Sequence, residues 1–578
     1  MWDHVAKRFP RTHVLATRTT HIVTPPSRNL VRIIAETKKF RRTGPARTCA
    51  TITEQHDAFQ QLGIPAPSWL SYTLMIGKRS KSEMLRQMLG REARGALLGG
   101  HGQVYLWRTE FGENLPIVLI DYELHVADAT RSFLHKTGGP TTVRRVDLLA
   151  RKDAPSNRRH FANMLAARAI SPLCDTICYF AADLNGLRGV AELLARQIMQ
   201  EPPALMPRAA LPRVIVVYES SAKQLDPHDF EVRLNDHIFR LLAVQDVDIR
   251  LRKHFYEIRV LCLRRRDNAH ARGMQFRKRL LVTKLRTLEA RRKHNLVFRR
   301  DHSLEFSHRL LDQFSAASCA TFSFIENSRP EGFTLAAFST HLTEFMAVLP
   351  CPKDTAYREL MPHLLASAIL LSAFPPETPI FPIIPVYEQM YDRHCVLAFD
   401  NAGIKRDKQP EILDRLRKKL NKYAERLEKY HDGDVVASHR ARLAKLHDRL
   451  RPSLQSDKTD CNVSRKTCLV CLMRPPEKVL SCRHALCDAC VQTFGIISRE
   501  HPFAFRISAC VLCGQDNTLP AIQLIPPTAG VRVLSIDGGG VKGVVPLATL
   551  QHLEMRMDGL GVPIRNQFDL VCGTSAGE

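Results

Sequence analysis

Asp537-Gly538-Gly539-Gly540-Val541-Lys542-Gly543 and, further on, Gly573-Thr574-Ser575-Ala576-Gly577 decide how the C-terminal part of this chain folds. Val531 to Ile536 is largely apolar and reads as a short buried strand ending at Asp537. Three consecutive glycines then allow a sharp turn that aims amide N–H groups into one small space. Val544 to Leu560 carries Leu547, Leu550, Leu553 and Met557 at helical spacing, and Phe568 to Cys572 is a second apolar strand. The spacing predicts one strand–loop–helix–strand unit whose second strand runs into a Gly-x-Ser-x-Gly turn. In such an elbow the flanking glycines relieve crowding, so Ser575 Oγ stands exposed as a nucleophile. It would attack an ester carbonyl while amides of Gly538, Gly539, Gly540 and Gly543 hold the oxyanion. The loop also satisfies Gly-x-Gly-x-x-Gly, the dinucleotide fingerprint. That rival needs an acidic residue closing the second strand, where Cys572 and the elbow stand instead.

The pair of motifs resembles the opening of a patatin-like phospholipase domain. The resemblance implies a three-layer α/β/α fold that hydrolyses lipid or phospholipid acyl esters with a Ser–Asp dyad. It carries Ser575 over as nucleophile, the four loop glycines as oxyanion hole, and Lys542 as the family's basic residue. The dyad Asp belongs to a downstream Asp-Gly-Gly or Asp-Gly-Ala motif that has no counterpart up to Glu578. The expectation is therefore a truncated domain, 530–578, inactive as written and poorly folded alone.

Of the 16 cysteines, seven lie between Cys468 and Cys513. Their order is Cys468-x2-Cys471, Cys482-x-His484-x2-Cys487-x2-Cys490 and Cys510-x2-Cys513. Eight ligands at knuckle spacing suit two tetrahedral Zn²⁺ ions, which supply folding energy that a short segment lacks. Disulfides are the competing explanation, but no secretory signal is evident and the other cysteines are scattered singly. The order resembles a RING finger, over 466–515. That resemblance implies interleaved sites, Cys468, Cys471, Cys487 and Cys490 for one ion and Cys482, His484, Cys510 and Cys513 for the other. Val470 would be the apolar residue offered to a ubiquitin-conjugating enzyme. Val511 replaces the proline, and Gly514-Gln515 the basic residue, of many active ligases. An adaptor that docks a protein partner is the competing role.

Upstream, residues 1–65 read as a basic, disordered leader. Within 66–225, Ser71 to Ile76, Ile117 to Ile120, Asp175 to Ala181 and Val214 to Val217 read as apolar strands, with helices at Glu83 to Leu89 and Leu187 to Gln200. This predicts a parallel α/β sheet. Gly77-Lys78-Arg79-Ser80-Lys81-Ser82 stands where a phosphate-binding loop would, with Lys81 and Ser82 as its Lys-Ser pair and Asp121 as a Mg²⁺-holding carboxylate. The loop is short and lacks a second glycine, so the expectation is a degenerate P-loop NTPase-like domain kept for structure or partner binding. Nucleotide hydrolysis and an unrelated α/β domain are the alternatives.

Residues 226–401 read as mostly helical, with basic clusters at Arg264-Arg265-Arg266, Arg277-Lys278-Arg279, Arg291-Arg292-Lys293 and Arg299-Arg300 that contribute to a net charge of +26. No nucleic-acid motif accompanies them, so an anionic membrane surface is the preferred partner over nucleic acid. A solvated helix face is the plainer explanation. Within 402–452, Leu413, Leu416, Leu420, Tyr423, Leu427 and Tyr430 recur at coiled-coil spacing, which predicts a helical hairpin or a dimer. No apolar run reaches the ~18 residues of a membrane span. The fold class is thus multidomain α/β plus α, and the expected location is the cytoplasm, peripheral at membranes. Two functions follow: a patatin-like acyl hydrolase, or a zinc-dependent ubiquitin ligase or scaffold.

Overall fold

Strands that are apolar on both faces have to be covered on both faces, and this rule organises the larger part of the molecule. The computed structural model describes residues 28–38, 47–55, 62–64, 68–89, 103–110, 116–124, 127–128, 141–147, 158–200, 205–221, 227–243, 248–316, 320–329, 333–347, 349, 353–374, 379, 381–429, 441–442, 466–499, 501–519, 521–526, 529–557 and 564–574. The chain divides into two units, one on Arg11–Ser328 with Thr378–Phe381, the other on Arg329–Glu377 with Pro382–Glu578.

In the first unit the strands are β1 (Arg28–Lys38), β2 (Arg47–Gln55), β3 (Ser71–Ile76), β4 (Gln103–Glu110), β5 (Pro116–Tyr122), β6 (Ala127–Asp128), β7 (Thr141–Asp147), β8 (Thr176–Phe180), β9 (Arg213–Ser220) and β10 (Glu257–Arg264). They form one 10-stranded sheet in the order β10-β9-β8-β3-β5-β4-β1-β2-β7, with β6 beside β1. From β10 to β5 the pairing is parallel; from β5 to β7 it is antiparallel. Every residue of β3 and β8 is buried. Helices α1 (Arg79–Leu89), α2 (Arg158–Leu165), α3 (Gly186–Gln200), α4 (Pro227–Ala243), α5 (Asp248–His254), α6 (Ala269–Lys293) and α7 (Arg300–Ser315) provide the cover. Met84, Leu85 and Met88 of α1 and Phe276 and Leu280 of α6 pack with Met75, Cys178, Phe180, Ile215 and Leu261. On the opposite face, Tyr179 OH donates to Gln197 Oε1 of α3 at 2.8 Å.

Two polar devices lock this unit. Lys284 of α6, 1% exposed, donates to Asp175 Oδ1 and to Ser71 Oγ, both at 2.6 Å. Burial pulls the Lys284 ammonium below its ordinary range, against the opposing pull of Asp175. Arg291 is buried and donates to the carbonyls of Ala210, Leu173 and Cys174 at 3.0, 3.1 and 2.6 Å. Part of the basic cluster at 291–293 is thus a strut rather than a phosphate-attracting surface.

One expectation is corrected and two are refined. The leader contains β1 and β2, which find partners in β4 and β7 far along the chain. Arg144 of β7 ties them down, bonding Glu54 Oε2 at 2.7 Å and Asp312 Oδ1 of α7 at 2.6 Å. The region 226–401 is mostly helical, as read, and also supplies β10, whose apolar core Val260–Leu263 is flanked by charged residues that obscure its periodicity. The coiled-coil stripe has an internal partner in the second unit. There α8 (Phe338–Ala347), α9 (Met361–Ala373), α10 (Asp392–Asn401) and α11 (Gln409–Lys429) form a helical region. Leu413, Leu416, Leu420 and Tyr423 of α11 are buried, and α11 packs on α9. The described part of the stripe therefore packs on α9 within the unit; Leu427 and Tyr430 lie outside the residues whose side chains are described, and most of the segment after Lys429 lies outside the described residues. Helix α9 is the apolar stretch around Leu364 to Phe374, buried on nearly all sides. No helix among the described residues is long and apolar enough to cross a membrane.

Candidate functional site

The cysteine-rich segment folds around tight knuckles. Leu472 adopts φ 59° just after Cys471, Arg483 adopts φ 67° between Cys482 and His484, and Gly514 adopts φ 73° just after Cys513. These left-handed residues close turns in which Leu472 N–H donates to Cys468 O at 2.9 Å and Gly514 N–H to Cys510 O at 2.9 Å. A hairpin of β11 (Lys478–Val479) and β12 (Ala485–Leu486) carries His484 inward, and it is 5% exposed. Helix α12 (Asp488–Phe494) starts at Cys487 and brings Cys490 to the same face one turn on.

Two clusters result, Cys468, Cys471, Cys487 and Cys490 in one and Cys482, His484, Cys510 and Cys513 in the other. In each, the ligand atoms lie within 4.8 Å of one another. Thiolates about 2.3 Å from a tetrahedral zinc ion sit about 3.8 Å apart. Cys468 Sγ to Cys490 Sγ is 3.8 Å and Cys471 Sγ to Cys487 Sγ is 3.6 Å. Cys482 Sγ lies 3.4 Å from His484 Nδ1. The donor sets therefore fit a cation of that size. Close thiols and burial push Cys487, Cys490, Cys482 and Cys510 above the ordinary thiol range, while hydrogen bonds from three neighbours pull Cys468 down. A metal ion loading these clusters would therefore displace protons.

The finger is seated on α8. His341 Nδ1 lies 3.1 Å from Thr467 Oγ1, which in turn donates to His341 O at 3.2 Å, and Lys466 Nζ lies 3.3 Å from Glu344 Oε1. Val470 is 0% exposed and Val511 is 1% exposed. Val470, expected at a partner-facing surface, is instead inside.

Beyond the finger come β13 (Ile496–Ile497), β14 (Ala504–Arg506), β15 (Ile522–Gln523), β16 (Val533–Ile536), α13 (Val544–Met557) and β17 (Leu570–Gly573). Strands β16 and β17 pair in parallel, Val533 opposite Leu570 and Ile536 opposite Gly573. This pairing sets the glycine loop beside the entrance to the elbow: Gly538 N–H donates to Thr574 Oγ1 at 2.9 Å. Gly540 has φ 56°, a conformation that favours glycine. Gly540–Gly543 then forms a single 3-10 turn leading into α13. Arg532 clamps the start of β17, its Nε and Nη2 reaching Asp569 at 3.1 and 3.0 Å, and holds that carboxyl down to about 2. Ser575, Ala576 and Gly577 lie outside the described residues. The expected burial of both strands is corrected: Val533, Leu570 and Val571 are half exposed, because a two-stranded sheet leaves its faces uncovered.

In the first unit, Lys81 Nζ meets Asp121 Oδ1 at 2.5 Å and donates to Tyr122 O at 3.2 Å. Ser82 Oγ turns back to Lys78 O at 2.6 Å. The backbone amides of the loop converge on Asp183, a residue the sequence did not single out.

No family model matches the chain. It is 53% identical over 51 residues to phospholipase A I of Arabidopsis thaliana, 9% of this chain and 4% of that one. It is 43% identical over 63 residues to patatin-like protein 2 of the same plant, 10% of this chain and 16% of the relative. A match of 48% over 48 residues joins it to calcium-independent phospholipase A2-gamma of Homo sapiens, 8% and 6% of the two chains. The chain thus spans a small part of each relative, and its likeness to patatin-like phospholipases is partial. Among solved structures, siderophore hydrolase EstA from Aspergillus nidulans aligns at 10% identity over 48% of this chain and all of its own, with a TM-score of 0.19, too low to bear on the fold.

Proposed function

We propose that residues 530–578 are the opening of a patatin-like acyl-ester hydrolase and that the phospholipase matches fall on this segment. The observation that carries the reading is the parallel β16–β17 pair, which sets Gly538 N–H on Thr574 Oγ1, one residue before Ser575. In this reading Ser575 attacks the acyl carbonyl of a lipid. Amides of Gly539, Gly540 and Gly543 stabilise the oxyanion, with Gly538, whose N–H is held by Thr574 Oγ1, shaping the loop, and Lys542 adds positive charge nearby. Hydrolysis also needs a carboxylate base for Ser575, which the family's dyad places downstream. The test is fluorophosphonate labelling of a polypeptide that joins this segment to a downstream Asp-Gly motif. Labelling that disappears with Ser575→Ala supports the reading; equal labelling of the Ser575→Ala variant refutes it.

The cysteine clusters hold two structural zinc ions in this proposal, each by four side chains with no open ligand position. Purified protein should carry two equivalents of zinc per chain by elemental analysis. Cys468→Ser or His484→Ala should each remove about one. Because thiol and imidazole must lose protons to bind, the metal should dissociate progressively as pH falls below neutrality. Zinc content unchanged at pH 4 would contradict this.

The buried Val470 and the Thr467–His341 contact favour an adaptor role for the finger over ubiquitin transfer. The domain around β3 is, in the same proposal, a degenerate nucleotide-binding fold that serves structure.

A further inference from the structure

A phosphate-binding loop works by pointing several backbone amides at one anion, at the start of a helix whose dipole favours negative charge. The loop after β3 does this for a residue of its own chain. Lys78 N–H and Lys81 N–H donate to Asp183 Oδ2 at 2.6 and 3.1 Å, and Arg79 N–H and Ser80 N–H donate to Asp183 Oδ1 at 3.0 Å each. One carboxylate thus takes up four amides at the N-terminus of α1.

The surroundings are built to the same end. A Cβ added to Gly77 would lie 2.7 Å from Asp183 Oδ2, so the loop backbone closes directly on the carboxylate. The turn that presents Asp183 is itself constrained. Ala181–Asp183 is a 3-10 turn, Asn185 and Gly186 take φ 63° and 74°, and a Cβ on Gly189 would come within 1.8 Å of Leu184 O. Lys81, the side chain expected to reach a phosphate, is 1% exposed and committed to Asp121 and Tyr122 O. Ser80 Oγ donates to Glu219 Oε1 at 2.6 Å at the end of β9. Arg272 and Arg265 stand 3.9 and 3.6 Å from the same Glu219, and Arg272 also reaches Glu83 at 2.7 Å. At the carboxyl ends of the parallel strands, where ligands of such sheets bind, Asp183, Glu219 and Asp121 already engage four loop amides, Ser80 Oγ and Lys81 Nζ.

We propose that Asp183 is a built-in substitute for a phosphate group, which keeps the loop in its anion-binding shape and lets this α/β domain fold and work without a nucleotide. A nucleoside triphosphate would have to displace a tethered carboxylate, enter beside two further carboxylates, and do so without Lys81, which Asp121 and Tyr122 O already hold. Asp183 is then a positioning residue for the whole crevice.

The test uses the full chain and two readouts. Titration of the unmodified protein with fluorescent ATP and GTP analogues, with and without Mg²⁺, should show no saturable binding up to about 1 mM. Saturable binding below that overturns the proposal. Asp183→Ala should lower the thermal midpoint of this domain, and inorganic phosphate should raise it again in the variant but not in the parent, as an anion that binds only the folded state must. An unchanged midpoint in Asp183→Ala, or phosphate stabilising parent and variant equally, overturns it. If Asp183→Ala does not fold, Asp183→Asn, which keeps one acceptor, is held to the same midpoint and phosphate criteria.

Discussion

At the scale of single residues, the groups that matter most in this molecule are charged and buried. Lys284 and Asp175 sit at 1% and 2% side-chain exposure, and Asp175 also accepts from Ser71 Oγ and Tyr72 N–H. A charge taken out of water is tolerated only while its partner stays, so breaking one side costs more than replacing both. Lys284→Met should destabilise the first unit by about 3–5 kcal/mol in urea unfolding, whereas Lys284→Met combined with Asp175→Asn should recover part of that loss. If the double variant is as unstable as the sum of both single ones, the pair is not coupled as its geometry implies. The cysteines are a different case. Their order along the chain is readable because knuckle geometry is local, needing only two or three residues between ligands. Asp183 could not be read in this way, because nothing near it in sequence says that a loop about a hundred residues earlier will wrap around its carboxylate.

At the scale of elements, periodicity identified β3, β5, β8 and β9, along with α1 and α3, but missed β4, although its Val104, Leu106 and Trp107 are buried. It did not identify elements whose partners are distant. Strands β1 and β2 are rich in Arg and Thr and gain their place only through pairing with β4 and β7. In α11 the heptad-like stripe correctly marked a buried face, but a stripe cannot name what covers it. Leu420 is 0% exposed in a helix that packs on α9. Leu420→Ala should therefore cost about 2–5 kcal/mol by leaving a cavity, read as faster hydrogen exchange in α9 and α11. Sedimentation should show the same oligomeric state for parent and variant. A dimer that dissociates on this substitution would restore the coiled-coil reading.

At the scale of the whole molecule, the excess of 84 Lys and Arg over 58 Asp and Glu is the dominant property. Some of it is internal, as Arg291 and Arg144 show, and some is spent on surface carboxylates. Arg265 and Lys293 pair with Glu219 and Glu289, while Arg266 and Lys278 are exposed. Binding to vesicles containing phosphatidylserine is expected at low ionic strength and should fall steeply as salt rises from 0.05 to about 0.5 M, since the screening length shrinks to a few ångström. Binding that is indifferent to salt, or absent at low salt, would remove the membrane from the list of partners.

The amino-acid sequence by itself determined the features written at short range. These are the knuckle spacing of the cysteines and His484, the glycine loop, the strand–loop–helix–strand order around it, and the apolar runs that must be buried in a parallel sheet. Tertiary structure alone decided which distant segments complete these features. It brought β1, β2 and β10 into the sheet, laid α11 on α9, covered Val470, left β16 and β17 open, and placed Asp183 in the cradle after β3. The division has one physical cause. Backbone turns and side-chain periodicity depend on neighbours a few residues away, whereas burial and the satisfaction of backbone donors depend on whichever part of the chain arrives in space.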